Sequence, residues 1–239
     1  MQDDALDYIT ELNVAVKEVK NEDWLTDRCG MFTASPISKL MQKGRGSDWG
    51  QAAETMIAEK LAERLTGVPI ASGGSAATEW GNDYESEAIG HYIRQTGIQV
   101  EYHGQMFVKF NEISGGSPDG FIGDDGLIEV KCPYNSGNHI KTMLFDEIKK
   151  EYAFQIQSLM LFTGRQWCDF VSYDPRQVDA LKMRIIRVQR DEEICTQIAD
   201  RIEAANQRLL ELVEQLPTKV KELLDENGFK KQTPEIHLA

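Results

Sequence analysis

Apolar and polar positions along the chain fall into two rhythms, one of three to four residues and one of two. Helical spacing runs through residues 52–65, closing near Gly67-Val68-Pro69, and through 78–96. A shorter helix is expected where Asn21-Glu22-Asp23 precedes Trp24-Leu25, with Cys29-Gly30 as its stop. Ser35-Pro36 is a further start signal, with Ser35 as N-cap and Pro36 in the first turn. Lys43-Gly44-Arg45-Gly46-Ser47-Asp48 reads as a flexible loop carrying two bases. Short β-type runs follow at 98–102, 105–110, 119–122 and 126–131, spaced as the meander of one sheet. Residues 140–163 read as helix, 167–173 and 183–189 as strands, and 191–216 as a long helix ended by Pro217. This order predicts an α/β (α+β) fold, a single domain over 1–239 with a central mixed β-sheet flanked by helices. No internal repeat, low-complexity tract or linker divides it.

Composition narrows the picture. The 239 residues are 41% hydrophobic, too apolar for a disordered chain. No apolar run approaches the roughly 18 residues of a membrane span, and the start, Met1-Gln2-Asp3-Asp4, is acidic where a signal peptide is basic. A cytoplasmic protein is expected. Cys29, Cys132, Cys168 and Cys195 form no C-x-x-C pair and read as buried or free thiols. The net charge of -13 argues against nonspecific binding of nucleic acid, until its distribution is read. Residues 1–27 and 191–226 contribute -6 each, while 28–190 hold 18 bases against 20 acids. A near-neutral centre is compatible with a nucleic-acid cleft, and the acidic ends with solvent or another protein.

Candidate chemistry concentrates at Gly115-Gly116-Ser117-Pro118-Asp119-Gly120 and the following Glu129-Val130-Lys131. Period-2 alternation puts Ile128 and Val130 on one face of a strand and Glu129 and Lys131 on the other. If Asp119 begins the neighbouring strand, its carboxylate meets that of Glu129, and the pair suits Mg²⁺, a hard cation that takes oxygen ligands. Such an ion activates water and neutralises charge on a phosphodiester, while Lys131 orients the water or stabilises the phosphate. The bland alternative is a Ser-Pro-Asp-Gly turn beside a solvated Glu and Lys. In the helix over 78–96, Trp80, Tyr84, Ala88, Ile89, Tyr92 and Ile93 share one face at about 100° per residue, and Glu85 falls inside it. A carboxylate there needs a partner, either a buried arginine or a metal.

Arg28 with Thr33-Ala34-Ser35, Trp80-Gly81, Tyr84-Glu85, Ser117-Pro118-Asp119-Gly120, Glu129-Val130-Lys131-Cys132-Pro133, and Tyr152 with Gln155 occur in this order over about 22–190. The set resembles the phage lambda exonuclease family, the YqaJ-like viral recombinases, a branch of the PD-(D/E)XK nucleases with a restriction-endonuclease-like core. The resemblance implies a Mg²⁺-dependent 5′-to-3′ exonuclease on linear double-stranded DNA. It would release mononucleotides and leave 3′ overhangs for a phage single-strand annealing protein. It also implies two metal ions per site, Mn²⁺ as a substitute, a homotrimeric ring, and phage or prophage origin in a bacterial host.

By position, Asp119, Glu129 and the Val130 carbonyl would hold the metals, with Glu85 in support, directly or through water. Lys131 would position the attacking water, and Gln155 would orient that water or Lys131. Gln155 and Gln157 lie about 200° apart on a helix, so one of them faces the site, and the spacing from Tyr152 favours Gln155. Arg28, Ser35 and Ser117 match residues that hold a terminal 5′-phosphate, and Arg45 one that contacts the duplex. Arg offers phosphate a charged fork, and Ser35 would sit at a helix N-terminus. Two positions depart from the pattern. Gly137 replaces an arginine, leaving His139 and Lys141 as the nearest bases, and Thr78 replaces an apolar wedge.

The stripe Ile194, Ile198, Ala205, Leu209, Leu212 and Leu216 reads as core or a subunit contact, its acidic face as solvated or a docking face for a protein, and Trp24 and Trp167 as core. His91, His103, His139 and His237 show no ligand spacing. The rival readings are an endonuclease or repair nuclease on the same scaffold, and a catalytically silent DNA-end-binding scaffold.

Overall fold

The structure, a computed structural model, describes residues 23–70, 73–101 and 106–226. The expectations for residues 1–22, His103 and His237 lie outside the described residues, as does that for the Trp24 side chain. The chain runs α1 (Asp23–Asp27), β1 (Phe32–Thr33), α2 (Ile37–Leu40), α3 (Gln51–Thr66), α4 (Ala76–Thr96), β2 (Val108–Asn111), β3 (Ser114–Gly116), β4 (Gly120–Ile122) and β5 (Gly126–Lys131). It continues through α5 (Ser136–Phe145), α6 (Lys150–Thr163), β6 (Trp167–Tyr173), a 3₁₀ turn at Asp179–Leu181, β7 (Met183–Gln189) and α7 (Glu192–Glu226).

The fold is mixed α/β, but the strands make two sheets where one was expected, ordered β1-β3-β2 and β4-β5-β6-β7. Both are mixed: β1 runs parallel to β3 and β5 parallel to β6, and the other pairings are antiparallel. Ser117-Pro118-Asp119 separates β3 from β4, and Pro118 has no N–H to continue a ladder. The run expected at 98–102 is reduced, among its described residues, to a single bridge between Glu101 and Phe121. No signal pointed to β3, because Ser-Gly-Gly has little β propensity. A Cβ on Gly115 would meet the Phe107 ring at 2.5 Å and the Val108 carbonyl at 2.6 Å, so it is the missing side chain that lets this strand pack so closely.

The four-stranded sheet is covered on both faces. Ile128, Val130, Val171 and Tyr173 pack against Ala88, Ile89 and Tyr92 of α4. Leu127, Cys168 and Phe170 point the other way, to Ile156, Leu159 and Met160 of α6, with α2, α3 and α7 completing that core. A strand buried on both faces is apolar at nearly every position, so the buried Glu129 on β5 stands out. The α7 stripe packs into the same core. Trp167 packs against the α4-side core, with the Arg187 guanidinium 3.7 Å from its ring.

Two helix boundaries differ from expectation. The helix read over 140–163 is two, because Asp146 turns left-handed at φ 51° and its N–H bonds the Thr142 carbonyl at 3.1 Å. No Gly or Pro marks that break. Pro217 does not end the last helix, which continues to Glu226. One lost hydrogen bond and a ring clash cost about 3 kcal/mol, which a 35-residue amphipathic helix packed through Leu209, Leu212, Val213 and Leu216 sustains. Among the described residues no helix is long and apolar enough to cross a membrane.

Candidate active site

The β4–β5 pairing sets Gly120 opposite Ile128, which places Asp119, one residue before β4, beside Glu129. The Asp119 Oδ2 accepts the Val130 N–H at 2.6 Å, locking the carboxylate to the strand that carries its neighbour. Glu129 is fully buried. Its Oε1 accepts from the Lys131 ammonium and, at 2.5 Å, from Gln155 Nε2 on α6. Its Oε2 is buried with no hydrogen-bond partner among the described residues. Burial, the Asp119 charge and, to a smaller extent, Glu85 push the Glu129 carboxyl up to about 8, against the pull of Lys131. Burial works against the Lys131 ammonium as well, but Glu129 and Asp119 outweigh it and hold its pKa above the ordinary lysine value. The Lys131 ammonium is thus a charged donor to Glu129.

Glu85 reaches this cluster from the opposite face of the sheet. It is half-buried on α4, and its field acts on both Glu129 and the Cys132 thiol. Gln155 and Gln157 divide as their spacing requires. Gln157 turns away, donating to the Gln189 carbonyl at 2.9 Å and accepting the Asp191 N–H at 2.9 Å.

The residues present fit a hard divalent cation. A buried carboxylate oxygen without a partner, next to a second carboxylate, is a costly arrangement that a cation relieves. Among the described residues no three His, Cys, Asp or Glu side chains converge as a ready cage. Two carboxylates, a backbone carbonyl and open positions for water and phosphate suit Mg²⁺, which dehydrates reluctantly.

The phosphate candidates gather at the end of the parallel pair β1–β3. Thr33 pairs with Gly115, so Ser35 and Ser117 lie two residues beyond the same register point. The Arg28 guanidinium reaches Thr33 Oγ1 at 3.5 Å. Burial lowers its pKa to about 10, opposed by Glu63, and the group stays charged at neutral pH. Ser35 does not cap a helix: Pro36 occupies the N-cap of α2, which has only four residues, and no side chain caps it. The dipole argument for Ser35 therefore fails, and what remains is an exposed hydroxyl two residues beyond Thr33, the residue that Arg28 reaches. Arg45 is exposed at the tip of a tight turn in that loop, closed by Gly44 N–H to the Ser47 carbonyl at 3.1 Å.

His139 is no surface base. It is buried, with ring nitrogens 2.8 Å from Ser172 Oγ and 2.7 Å from the Leu181 carbonyl. Its spacing gave no sign of this, because burial comes from β6 and the 3₁₀ turn. Thr78 is exposed in the first turn of α4, where its N–H donates to the Ser75 cap at 3.2 Å.

Sequence reasoning passed over Asp174 and Arg176. Arg176 donates to the Pro133 and Tyr134 carbonyls, each at 3.0 Å, and lies 4.4 Å over the Trp80 ring, so it pins the turn after Lys131 to α4. Asp174, fully buried, holds Arg176 Nε at 2.7 Å and Ser136 Oγ at 2.6 Å. The available signal was Asp-Pro-Arg directly after a strand.

This fold is shared with solved exonucleases. An alkaline exonuclease from Laribacter hongkongensis, LHK-Exo, is 36% identical with a TM-score of 0.75, covering 85% of this chain and all of its own. The same enzyme in complex with dAMP matches at 37% identity and TM-score 0.75, over the same shares of the two chains. A phage-related exonuclease from Haemophilus somnus 129PT shares the fold at 20% identity and TM-score 0.65, over 78% of this chain and 96% of its own. Residues 23–166 match the YqaJ-like viral recombinase domain, and the chain belongs to that family. No curated protein matches it.

Proposed function

We propose that the protein is a Mg²⁺-dependent exonuclease of PD-(D/E)XK type that degrades one strand of linear duplex DNA from its 5′ end. It releases mononucleotides and leaves 3′ overhangs for phage recombination by annealing. The observation that carries this reading is Glu129: a buried carboxylate gripped on one oxygen by Lys131 and Gln155, with the other oxygen open beside Asp119. Family membership and the likeness to LHK-Exo support it.

Asp119, Glu129 and the Val130 carbonyl are the groups that would hold Mg²⁺, with Glu85 in support; Mn²⁺ is expected to substitute. Two ions bound there would supply an activated water and charge neutralisation at the phosphate. Lys131, kept protonated by its two acidic neighbours, donates to that water or to a phosphoryl oxygen. Gln155 spends one amide hydrogen on Glu129 and so fixes the carboxylate that Lys131 leans on. Arg28, Ser35 and Ser117 form the proposed grip on the terminal phosphate, and Arg45 a contact to the duplex. The reading extends to a homotrimeric ring, a phage single-strand annealing protein as partner, and action in the cytoplasm of a bacterial host.

The test is digestion of linear duplexes with 5′-phosphate or 5′-hydroxyl ends beside a closed circle, in Mg²⁺ or EDTA, with Lys131→Ala as control. Loss of linear DNA alone, faster from 5′-phosphate ends and absent in EDTA and in the variant, is expected. Cutting of the circle would make the protein an endonuclease, and metal-independent binding without cleavage a silent end-binding scaffold.

A further inference from the structure

One row beyond Glu129 on the α6 face of the sheet, Lys131 pairs with Ser172 as Glu129 pairs with Phe170. Over that row, between α5 and α6, lies a cavity of about 50 Å³, several times the roughly 10–15 Å³ that one water needs. Three lysines line it, Lys131, Lys141 and Lys149, against one acidic residue, Glu147. Such a concentration of positive charge is unexpected in a chain of net charge -13.

Its geometry is that of an anion cradle. Tyr152 forms the wall, stacked on Phe170 with ring centroids 6.0 Å apart. The Lys131 and Lys149 ammonium groups stand 5.4 and 5.5 Å from the centre of the same Tyr152 ring. The two charges are thus no more than about 11 Å apart, a separation that successive phosphates of one strand can span. Besides the Tyr152 ring, Lys149 has among the described residues one long ion pair, to Glu151 at 4.0 Å, and Lys141 is exposed on α5 with no partner among the described residues. Neither charge is held by a short ion pair. Asn138, Thr142 and Ser172 also line it.

We propose that Lys141 and Lys149 bind an internal backbone phosphate of the DNA strand, next to the phosphodiester presented to Lys131. This rests on the nuclease reading above and adds a binding site to it. The site holds substrate rather than reacting, so its loss weakens binding. Of the three lysines Lys131 alone donates to Glu129, which leaves Lys141 and Lys149 to hold the neighbouring phosphate as the scissile one changes from one nucleotide to the next.

The experiment measures binding of fluorescent linear duplexes with 5′-phosphate or 5′-hydroxyl ends in EDTA, across a salt series. Lys141→Ala, Lys149→Ala, the double variant and, on the opposite face of the sheet, Arg94→Ala are compared with the wild-type protein. Each lysine variant is expected to bind about tenfold more weakly, equally for both ends, and the slope of log K against log salt to fall by about 1 per lysine. Arg94→Ala should leave both unchanged. Unaltered binding in the double variant would overturn the proposal, and so would a loss confined to 5′-phosphate ends, which would assign the pocket to the terminal phosphate. Because no cleavage is involved, a wild-type protein that binds but never cuts sinks the nuclease reading while leaving the pocket measurable. A circular dichroism melt at the wild-type temperature excludes misfolding as the cause of a loss.

Discussion

Gln155 and Gln157 sit two residues apart on α6 and do unrelated work, which makes them a matched pair for experiment. Gln155→Ala frees the Glu129 carboxylate from one of its two donors, and misplacement of a reacting group by about 1 Å costs on the order of 100-fold in rate. On the nuclease reading, a fall of that size in kcat, in a protein still folded at the assay temperature, is expected. Gln157→Ala strips partners from the Gln189 carbonyl and the Asp191 N–H, about 1–3 kcal/mol of stability. Thermal melts should show it, and the rate should not. Metal binding has its own signature at this scale. A ligand of the folded state alone stabilises by about 2.7 kcal/mol at 100 times its Kd, so Mg²⁺ should raise Tm by roughly 5–10 °C. Asp119→Asn should abolish that rise, and an unmoved Tm in the wild type would remove the case for the site as a cation site.

At the scale of elements, what could be read from the sequence were the pieces whose own side chains decide their form. β5, β6 and β7 alternate or run apolar between turn residues, and α4 shows a clean stripe with Glu85 inside it. Asp119 beside Glu129 followed from period alone once β4 was placed. The rest depended on contacts that no local pattern carries. β3 forms because its two glycines let other groups approach, the α5–α6 break rests on a left-handed aspartate, and Pro217 is carried by packing elsewhere along α7. Lys141 drew notice only as a base near Gly137; its convergence with Lys149 on one cavity needed the fold. Glycine at the sheet's entrance gives a further prediction. A Cβ on Gly126 would stand 2.3 Å from the Trp167 ring, which is itself pressed by Arg187. Gly126→Ala should cost about 1–3 kcal/mol as overpacking, read as a lower denaturation midpoint with an unchanged slope.

For the molecule as a whole, two paired carboxylates make part of the stability acid-sensitive. Burial raises the Asp174 carboxyl, but hydrogen bonds from Arg176, Ser136, the Arg176 N–H and Gln177 outweigh it and hold its pKa well below the usual range. Burial likewise opposes Glu63, whose bonds from Lys60 and from the Ile70 and Gly30 N–H groups prevail and depress it. A depressed carboxylate contributes its stability in full above its unfolded pKa, about 3.9 for Asp and 4.3 for Glu. That contribution is lost as the pH falls through the folded values. Stability measured by urea titration should therefore drop below about pH 4, and Asp174→Asn should flatten the drop. The two-faced burial of β5 has a consequence for the living cell. Glu85, Glu129 and Gln155 are separate in the chain and come together only when α4 and α6 have closed on opposite sides of one strand. A nascent chain that has emerged past Lys131 but not past α6 holds the acids and the lysine without the helix that orients them. On the nuclease reading, translation can run nearly to β6 before anything able to cut the host chromosome exists.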